Sequence, residues 1–327
     1  MGGDHGPSTT ISGIYHASKL YPNVIFKLFG NKNLALEELN KIPDFKNYEL
    51  IHTTEYIKSD DEPVNALRKL KKSSLRLAVN DVGEKKSDGL VSAGNTGALM
   101  AISKFVLKTL SGINRPAIAG LMPTLRGEIV ILDLGANIEC THINLVQFAL
   151  MGETFAKALL GIKSPKIGIL NVGSEEIKGN AIVKKTFEDL EKLSSKINFF
   201  GFIEGNDINK GIVDVVVTDG FSGNIALKTA EGVAELIVSF LQSAYKSSII
   251  SKVGYLLSKP ALNRFKKRID PRKYNGAVLL GLNGIVVKSH GGTDSFGFSN
   301  AISSAVSLIE NNYNAAIKEK LFIYSNT

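Results

Sequence analysis

The stretch VDVVVTDGFSGNIALKT (213–229) runs from a short apolar segment through a glycine-bearing loop into a helical pattern. Other apolar runs share its richness in Val, Ile, Leu and Phe and its lack of strict alternation, which is typical of strands buried on both faces of a parallel sheet. They cover 23–30, 75–81, 88–94, 128–136, 166–173 and 198–205. Helical patterns follow many of them, at 96–110, 143–160, 181–196, 224–246 and 299–320. This alternation predicts an α/β fold with a mostly parallel sheet flanked by helices.

The composition narrows the class of protein. The 327 residues are 44% hydrophobic and include one cysteine, which excludes a disordered chain and a disulfide scaffold. The single cysteine favours a reducing, cytoplasmic setting. The first residues, MGGDHGPSTT, lack the features of a secretion signal, and no apolar run is long enough to span a membrane. No linker divides the chain, which predicts a single unit over 1–327. The net charge of +8 favours an acidic partner: nucleic acid, an anionic membrane, an acidic protein or a phosphorylated small molecule.

Four loops that follow apolar runs are rich in glycine and small polar residues. In a parallel sheet the carboxyl ends of the strands share one edge, and glycine-bearing loops at helix starts favour anions there. None of the loops matches GxxxxGK[ST] or GxGxxG, and no metal-ligand motif occurs, so we expect neither a nucleotide cofactor nor a metal. The loops are SAGNTGALM (92–100), LDLGANIECTHINL (132–145), NVGSEEIKGN (171–180) and TDGFSGNIALKT (218–229).

Several side chains in or near these loops are candidates for chemistry. Lys178 either binds a ligand beside Gly179 or is a solvated charge. Asn224 is expected at the start of the long helix, as an N-cap alone or as an amide that also touches the reacting group. His5 either lines the site or hydrogen-bonds a neighbouring loop. Cys140 lacks a histidine motif beside it, so we interpret it as a small buried hydrophobe rather than a nucleophile.

The segment 246–275 differs from the rest of the chain in composition. Within it, IISKVGYLLSKPALNRFKKRI (249–269) mixes apolar residues with six basic ones, and Pro260 is expected to split it into two short helical pieces with a turn between them. A basic amphipathic hairpin predicts contact with a membrane surface or an acidic partner, whereas the simpler interpretation is a hairpin with a solvated basic face.

Seven motifs together resemble the PlsX family, the phosphate acyltransferases of bacterial phospholipid synthesis. The resemblance runs from residue 1 to about residue 292. It implies transfer of a fatty acyl chain from acyl carrier protein to orthophosphate, giving acyl phosphate, in a fold similar to isocitrate and isopropylmalate dehydrogenases and to phosphotransacetylases. It also implies a homodimer attached peripherally to the membrane. The motifs are MGGDHGP, SAGNTGALM, LDLGAN with LVQFALMG, NVGSEEIKGN, GFIEGNDI, TDGFSGNIALKTAEG and NGAVLLGLNGIVVKSHG.

By this resemblance several residues of the chain have expected roles. Lys178 and Asn224 would be catalytic, and the substrate would contact His5 and a set of loop residues, Ser92, Gly94, Asn95 and Thr96. The hairpin would touch the membrane through Leu256, Leu257, Leu262 and Phe265. Acyl carrier protein is acidic, which suits the charge of +8, and acyl phosphate would pass to a membrane glycerol-3-phosphate acyltransferase. No nucleic acid partner and no cofactor are expected.

The chain also departs from the family pattern. Family members usually carry a short strand of the type IALDAMGGD, whereas Met1 stands inside that motif here, so we expect either an upstream start or a sheet without its first strand. NIECTHINL (137–145) is atypical, and we assign Cys140 and His142 no role. Three alternatives remain: a short-chain phosphotransacetylase using coenzyme A, a non-catalytic membrane scaffold that binds acyl carrier protein and, last, a decarboxylating dehydrogenase.

Overall fold

The computed structural model describes residues 1–325, with side chains as far as residue 322. Its strands are β1 (Phe26–Gly30), β2 (Tyr48–His52), β3 (Gly89–Ser92), β4 (Ala117–Pro123), β5 (Glu128–Leu132), β6 (Lys166–Leu170), β7 (Asn198–Ile203), β8 (Val215–Val217), β9 (Ala277–Leu280) and β10 (Ile285–Lys288). Its α-helices are α1 (Gly6–Leu20), α2 (Lys32–Leu39), α3 (Pro63–Lys69), α4 (Ser74–Gly83), α5 (Thr96–Leu107), α6 (His142–Leu160), α7 (Ala181–Glu191), α8 (Gly205–Lys210), α9 (Gly220–Lys246), α10 (Ile249–Ile269), α11 (Ser295–Glu310) and α12 (Tyr313–Ser325). A 3-10 helix covers Pro271–Tyr274.

Eight strands form one mixed sheet in the order β3-β10-β9-β4-β5-β8-β6-β7. The predicted α/β fold with a helix-flanked central sheet is confirmed, and its parallel part is β5-β8-β6-β7 together with the β3-β10 pair. The strands β4 and β9, which the apolar runs did not reveal, pair antiparallel with both of their neighbours. Three antiparallel steps therefore separate the two parallel parts, so β3 and β10 run opposite to β5, β6, β7 and β8.

Helix α6 lies at the centre of the core on one face of the sheet. Phe148, Met151 and Phe155 of this helix are completely buried, and each side chain of this kind stabilises the fold by roughly 1.5–3 kcal/mol. A reciprocal capping box between Thr141 and Asn144 starts the helix at its N-terminus. Helices α4 and α5 cover the opposite face, so both faces of the sheet are packed.

Two of the predicted elements are wrong. Residues 75–81 form part of helix α4 and not a strand, because Leu75, Val79 and Val82 recur at helical spacing and are all buried. The hydroxyl of Ser73 also caps this helix by accepting a hydrogen bond from the N–H of Arg76. The single helix predicted over 299–320 is two helices, α11 and α12, and the backbone between them has a positive φ of 49° at Asn312.

The predicted hairpin within 246–275 also needs correction. Its two arms are α9 and α10, joined by a turn at Ser247–Ser248, and α10 continues unbroken through Pro260. The proline removes one backbone hydrogen bond of the helix. Because α10 has no buried residue, the backbone around Pro260 can shift slightly without disturbing a packed core. Near the turn the Tyr245 and Tyr255 rings pack edge to face at 5.5 Å. Among the helices of residues 1–325, none combines the length and the apolar character that crossing a bilayer requires.

Strands β1 and β2 form a separate parallel pair, and a groove separates β1 from β3. The groove encloses a cavity of about 700 Å³, lined along the whole of both strands. Apolar side chains of α1 and α11 line it too, and Met1 packs against Gly30 at one end. Within the described chain β1 pairs with β2 and β3 pairs with β10, and the edge of each that faces the groove has no ladder partner.

Candidate active site

Three of the four glycine-bearing loops come together as the sequence predicts. They follow β5, β8 and β6, which are adjacent and parallel, so their carboxyl ends share one edge of the sheet. The first two loops touch directly: the N–H of Gly220 donates to the carbonyl of Asn137 at 2.8 Å. Gly223 packs so tightly on the backbone of Asp133 that no larger side chain fits there. We call this group the strand-end loops, defined by residues 133–138, 171–178 and 219–225.

The loop after β5 is built around a buried carboxylate that the sequence analysis missed. Asp133 is fully buried, and its Oδ1 accepts hydrogen bonds from the N–H groups of Ile118, Gly135 and Ala136 at 2.9–3.2 Å. Its Oδ2 accepts from the backbone and side-chain N–H groups of Asn137 at 2.7 and 2.8 Å. Burial raises the pKa of the Asp133 carboxyl, and these donors oppose that rise. One side chain therefore fixes the conformation of the whole loop.

Asn224 is placed differently from the sequence prediction. The N-cap of α9 is Asp219, whose Oδ1 accepts from the N–H of Ser222 at 2.8 Å, so Asn224 lies more than one turn inside the helix. Its side chain is exposed and lies beside Gly135, whose φ of 128° suits glycine. The amide is thus presented over the glycine loop rather than used as a cap.

Lys178 is held by the loop that follows β6. The Nδ2 group of Asn171 donates to the carbonyls of Gly173 and Lys178 at 3.0 and 3.3 Å, which closes the loop on itself. The ammonium lies 2.8 Å from Oε2 of Glu175, and the lysine side chain is 46% exposed. This hydrogen bond raises the pKa of Lys178 and lowers the pKa of Glu175, so both are charged at neutral pH.

Apolar side chains that are open to solvent lie in the same loops and helix start as these two polar residues. Ile177 and Val172 are 83% and 79% exposed in the loop that carries Lys178, and Ile138 is 70% exposed directly after Asn137. Phe221 and Ile225 are exposed on the first turns of α9, one on each side of Asn224 in sequence. We call these five residues the apolar rim. The strand-end loops therefore combine hydrogen-bond donors with unburied apolar surface.

Cys140 and His142 lie beside the strand-end loops, and the surroundings of each side chain indicate a structural role. Burial, together with the charges of Asp133 and Asp219, raises the pKa of the Cys140 thiol to about 11, which leaves it protonated and unreactive at neutral pH. The Nδ1 atom of His142 lies 2.8 Å from Oδ2 of Asp189, and this pair links α6 to α7. Within residues 1–325 no cluster of three or more His, Cys, Asp or Glu side chains is arranged to hold a metal ion.

The fourth glycine-bearing loop lies in a different place, with His5. Residues 92–96 follow β3, which runs opposite to β5, β6 and β8, so the shared-edge rule does not join this loop to Lys178 and Asn224. It meets two other segments instead: residues 2–5, where Gly2 and Gly3 pack against Gly94 and Ala93, and residues 288–293, where the N–H of Ser289 donates to the carbonyl of Ser92 at 2.9 Å. These two segments are joined to each other by the 3.1 Å bond from the N–H of Asp4 to the carbonyl of Gly291. We call these three segments the glycine-loop cluster.

The predicted substrate-contacting side chains of this cluster already have partners. Asn95 caps α5 by accepting from the N–H of Ala98 at 2.9 Å, and its Nδ2 donates to the carbonyls of Ser59 and Asp61 at 3.0 and 2.9 Å. Ser92 Oγ accepts from the N–H of Gly94 at 3.2 Å. The ring of His5 lies 3.3 Å from the carbonyl of Gly292, so of the two alternatives for this residue the structure shows the hydrogen bond to a neighbouring loop. Of the predicted side chains, Thr96 is exposed at the first position of α5.

Comparisons with known proteins agree with this architecture. A family model described as "Fatty acid synthesis protein" matches residues 1–316. Curated proteins named "Phosphate acyltransferase" are 51% identical in Paramagnetospirillum magneticum and in Rhodospirillum centenum, over 98% of this chain and 92% and 91% of theirs. Among solved structures, a phosphotransacetylase from Streptococcus pyogenes has a TM-score of 0.59 at 18% identity, and the EutD phosphotransacetylase from Staphylococcus aureus one of 0.58 at 14%. Each covers 93% of this chain and 92% of its own, which shows a shared fold.

Proposed function

The chain belongs to the fatty acid synthesis protein family, and we propose that, like its curated relatives, it is a phosphate acyltransferase that moves an acyl group from a thioester to orthophosphate. The observation that carries the proposal is the setting of Lys178 and Asn224. Lys178 is exposed on the loop after β6 and Asn224 on the second turn of α9, which follows the adjacent strand β8, and the apolar rim belongs to the same loops and helix start. A fatty acyl thioester needs that combination, because its reacting carbonyl is polar and its chain is apolar.

The reaction needs no nucleophile from the protein. An oxygen of hydrogen phosphate attacks the thioester carbon, the C–O bond forms, and a tetrahedral oxyanion results. The C–S bond then breaks, and the proton of the phosphate passes to the leaving thiolate, which gives acyl phosphate and a free thiol. The Asn224 amide and the Lys178 ammonium are the groups we propose to donate hydrogen bonds to the oxyanion and the phosphate; loss of one such donor costs about 10²–10³-fold in rate.

The glycine-loop cluster supplies the second part of the proposal, substrate contact. Because Ser92 and Asn95 are engaged within the loop, we infer that their contribution is to hold its shape. Gly94 lets the backbone come close, and the first-turn N–H groups of α5, beginning at Thr96, have no partner inside the helix. Binding of an anionic part of the substrate would then rest on backbone donors, with His5 at the margin.

The donor we propose is acyl carrier protein rather than coenzyme A. Acyl carrier protein is acidic, and this chain has a net charge of +8 with a basic run at the end of α10, Lys266–Arg268. The complementary charges would speed the encounter and make it sensitive to salt. The phosphotransacetylase likeness indicates the fold alone and does not favour the short-chain alternative.

The hairpin of α9 and α10 supports a peripheral membrane attachment. Next to its turn, Ile249 and Ile250 at the start of α10 are 80% and 84% exposed. The sequence analysis did not name these two residues as membrane contacts. Among the predicted contacts Leu256, Leu257 and Phe265 are exposed and Leu262 is partly buried, with lysines and arginines between them. Apolar side chains next to basic ones bind an anionic membrane surface. At the cytoplasmic membrane face the acyl phosphate would reach a membrane glycerol-3-phosphate acyltransferase.

The long arm α9 supports a homodimer. It has 27 residues but buries only Gly220 and Gly223, while Val233, Leu236, Ile237 and Phe240 leave a stripe of exposed apolar surface along it. We propose that a second copy covers this stripe, because a 27-residue helix spans about 40 Å and offers enough area for a stable interface. Sedimentation should give twice the chain mass, and a monomer at micromolar concentration would contradict this part of the proposal.

The deciding experiment is release of free acyl carrier protein from palmitoyl-acyl carrier protein, with and without orthophosphate. We expect release only with phosphate, an acyl phosphate product, and a loss of about 10²-fold in Lys178→Ala. Lys185→Ala is the matched control, because Lys185 is 45% exposed and pairs with Glu188 at 2.9 Å, three residues away, just as Lys178 pairs with Glu175. Normal turnover in Lys178→Ala would remove it from the mechanism. Activity restricted to acetyl- or butyryl-coenzyme A would favour a short-chain phosphotransacetylase, and no release from folded protein would favour a scaffold.

A further inference from the structure

The glycine-loop cluster contains a lysine to which the sequence analysis gave no role. Lys288 is the last residue of β10 and lies opposite Ser92 in the ladder with β3. The two strands stay together past this point, because the N–H of Ser289 donates to the carbonyl of Ser92 at 2.9 Å. The side chain of Lys288 is therefore delivered directly beneath the loop that leads into α5.

The ammonium of Lys288 bonds to the backbone of that loop. Its Nζ donates to the carbonyl of Ala93 at 3.0 Å and also to the carbonyl of Gly94. In a planar trans peptide the C=O group and the following N–H group point in opposite directions. With the Gly94 carbonyl turned toward the lysine, the N–H of Asn95 faces away from it, and the N–H of Gly94 faces the Ser92 hydroxyl. Lys288 thus sets which side of the loop presents donors.

The surroundings of Lys288 make this bond sensitive to charge. Burial lowers the pKa of its ammonium to about 8, and the carboxylate of Asp4 opposes that shift. Two further titratable groups face the same cluster: His5, whose ring bonds to Gly292, and His290, whose Nδ1 accepts from the N–H of that residue at 3.1 Å. The α-amino group of Met1, whose pKa burial lowers from its usual value, directly precedes the same cluster, so the charge-retaining variant Lys288→Arg is what separates the lysine from these groups.

We propose that Lys288 is a positioning residue for the substrate loop 92–96. It holds the carbonyls of Ala93 and Gly94 inward, so that the N–H of Asn95 and the first turn of α5 face an anionic substrate. The inference rests on the proposed function for the identity of that substrate, the acidic acyl-acyl carrier protein. It concerns a contact within the protein and therefore also has a readout that does not need turnover. Loss of the positive charge would both loosen the loop and reduce its attraction for the anion.

The test compares Lys288→Met, which removes both hydrogen bonds, and Lys288→Arg, which keeps donors and charge, with the unmodified chain. At pH 7 we expect Lys288→Met to raise the KM for palmitoyl-acyl carrier protein by about 10–100-fold with a smaller change in kcat, as for a misplaced binding group. In the unmodified chain the KM should rise as pH passes through 8 and the lysine loses its proton; in Lys288→Arg it should stay level. Lys27→Met is the matched control, since Lys27 is also partly buried and donates to a carbonyl, that of Lys86 at 2.8 Å.

Hydrogen–deuterium exchange over residues 92–97 at fixed pH separates this inference from the proposed function. Faster exchange of this segment in Lys288→Met than in Lys27→Met supports the positioning role of Lys288 even if no acyl transfer is found. Unchanged exchange together with an unchanged KM and pH profile would overturn the inference and leave the acyltransferase proposal intact. Should Lys288→Met fail to fold, a level pH profile in Lys288→Arg supports the inference, and a profile like that of the unmodified chain refutes it.

Discussion

Replacing Asp133 by asparagine is expected to damage both stability and activity, because five hydrogen bonds converge on this buried carboxylate. The asparagine carbonyl oxygen can keep the three donors at the Oδ1 position. Its NH₂ group then faces the two donors of Asn137, at the position where Oδ2 accepts now. Leaving a buried donor unpaired costs about 1–3 kcal/mol, so two of them should lower the free energy of unfolding by roughly 2–6 kcal/mol.

Urea denaturation at 25 °C measures the change, and the acyl carrier protein release assay measures its effect on turnover. Asp207→Asn is the control, because Asp207 also accepts a backbone N–H, that of Glu204 at 3.1 Å, but lies at the surface, where the loss should stay below about 1 kcal/mol. Turnover should fall as well, since Asp133 shapes the loop against which Asn224 lies. A free energy of unfolding within about 1 kcal/mol of the unmodified chain, with normal turnover, would refute the conclusion that Asp133 holds the loop in shape.

Two further outcomes test other parts of the molecule. Leu257→Glu should weaken binding to anionic vesicles in a flotation assay while catalysis on soluble acyl carrier protein stays normal, because Leu257 is 80% exposed on α10, away from the strand-end loops. Unchanged binding would favour the simpler interpretation, a hairpin with a solvated basic face. An apolar segment of the IALDAMGGD type joined before Met1 should raise the denaturation midpoint, because a strand leading into Met1 would enter the groove and bond to the open edges of β1 and β3. A midpoint that does not move would show that the groove is not a strand site.

The fold was predictable where a local pattern carried the information. Strands such as β6 and β8 are buried on both faces, so their apolar runs stand out in the sequence. The error at 75–81 arose because a short apolar run suits a strand or one face of a helix equally well, and only the tertiary contacts of Leu75 and Val79 separate the two. The antiparallel pairing of β4 and β9 could not be predicted, because strand direction is set by pairing across the sheet, which no local pattern records.

The candidate site was predictable in its residue types but not in its grouping. Glycines and small polar residues identified the four loops, yet the rule that parallel strands share an edge joined all four, and it holds only for the three that follow β5, β6 and β8. Asp133 and Lys288 escaped notice because a single charged residue at the end of an apolar run has no sequence signature of burial. Their position explains their importance: each places a charge against the backbone of a glycine loop, so that the loop keeps one conformation that glycine alone would not impose. Of the two, Lys288 is the one whose protonation changes near working pH, so the glycine-loop cluster should respond to pH where the Asp133 loop does not.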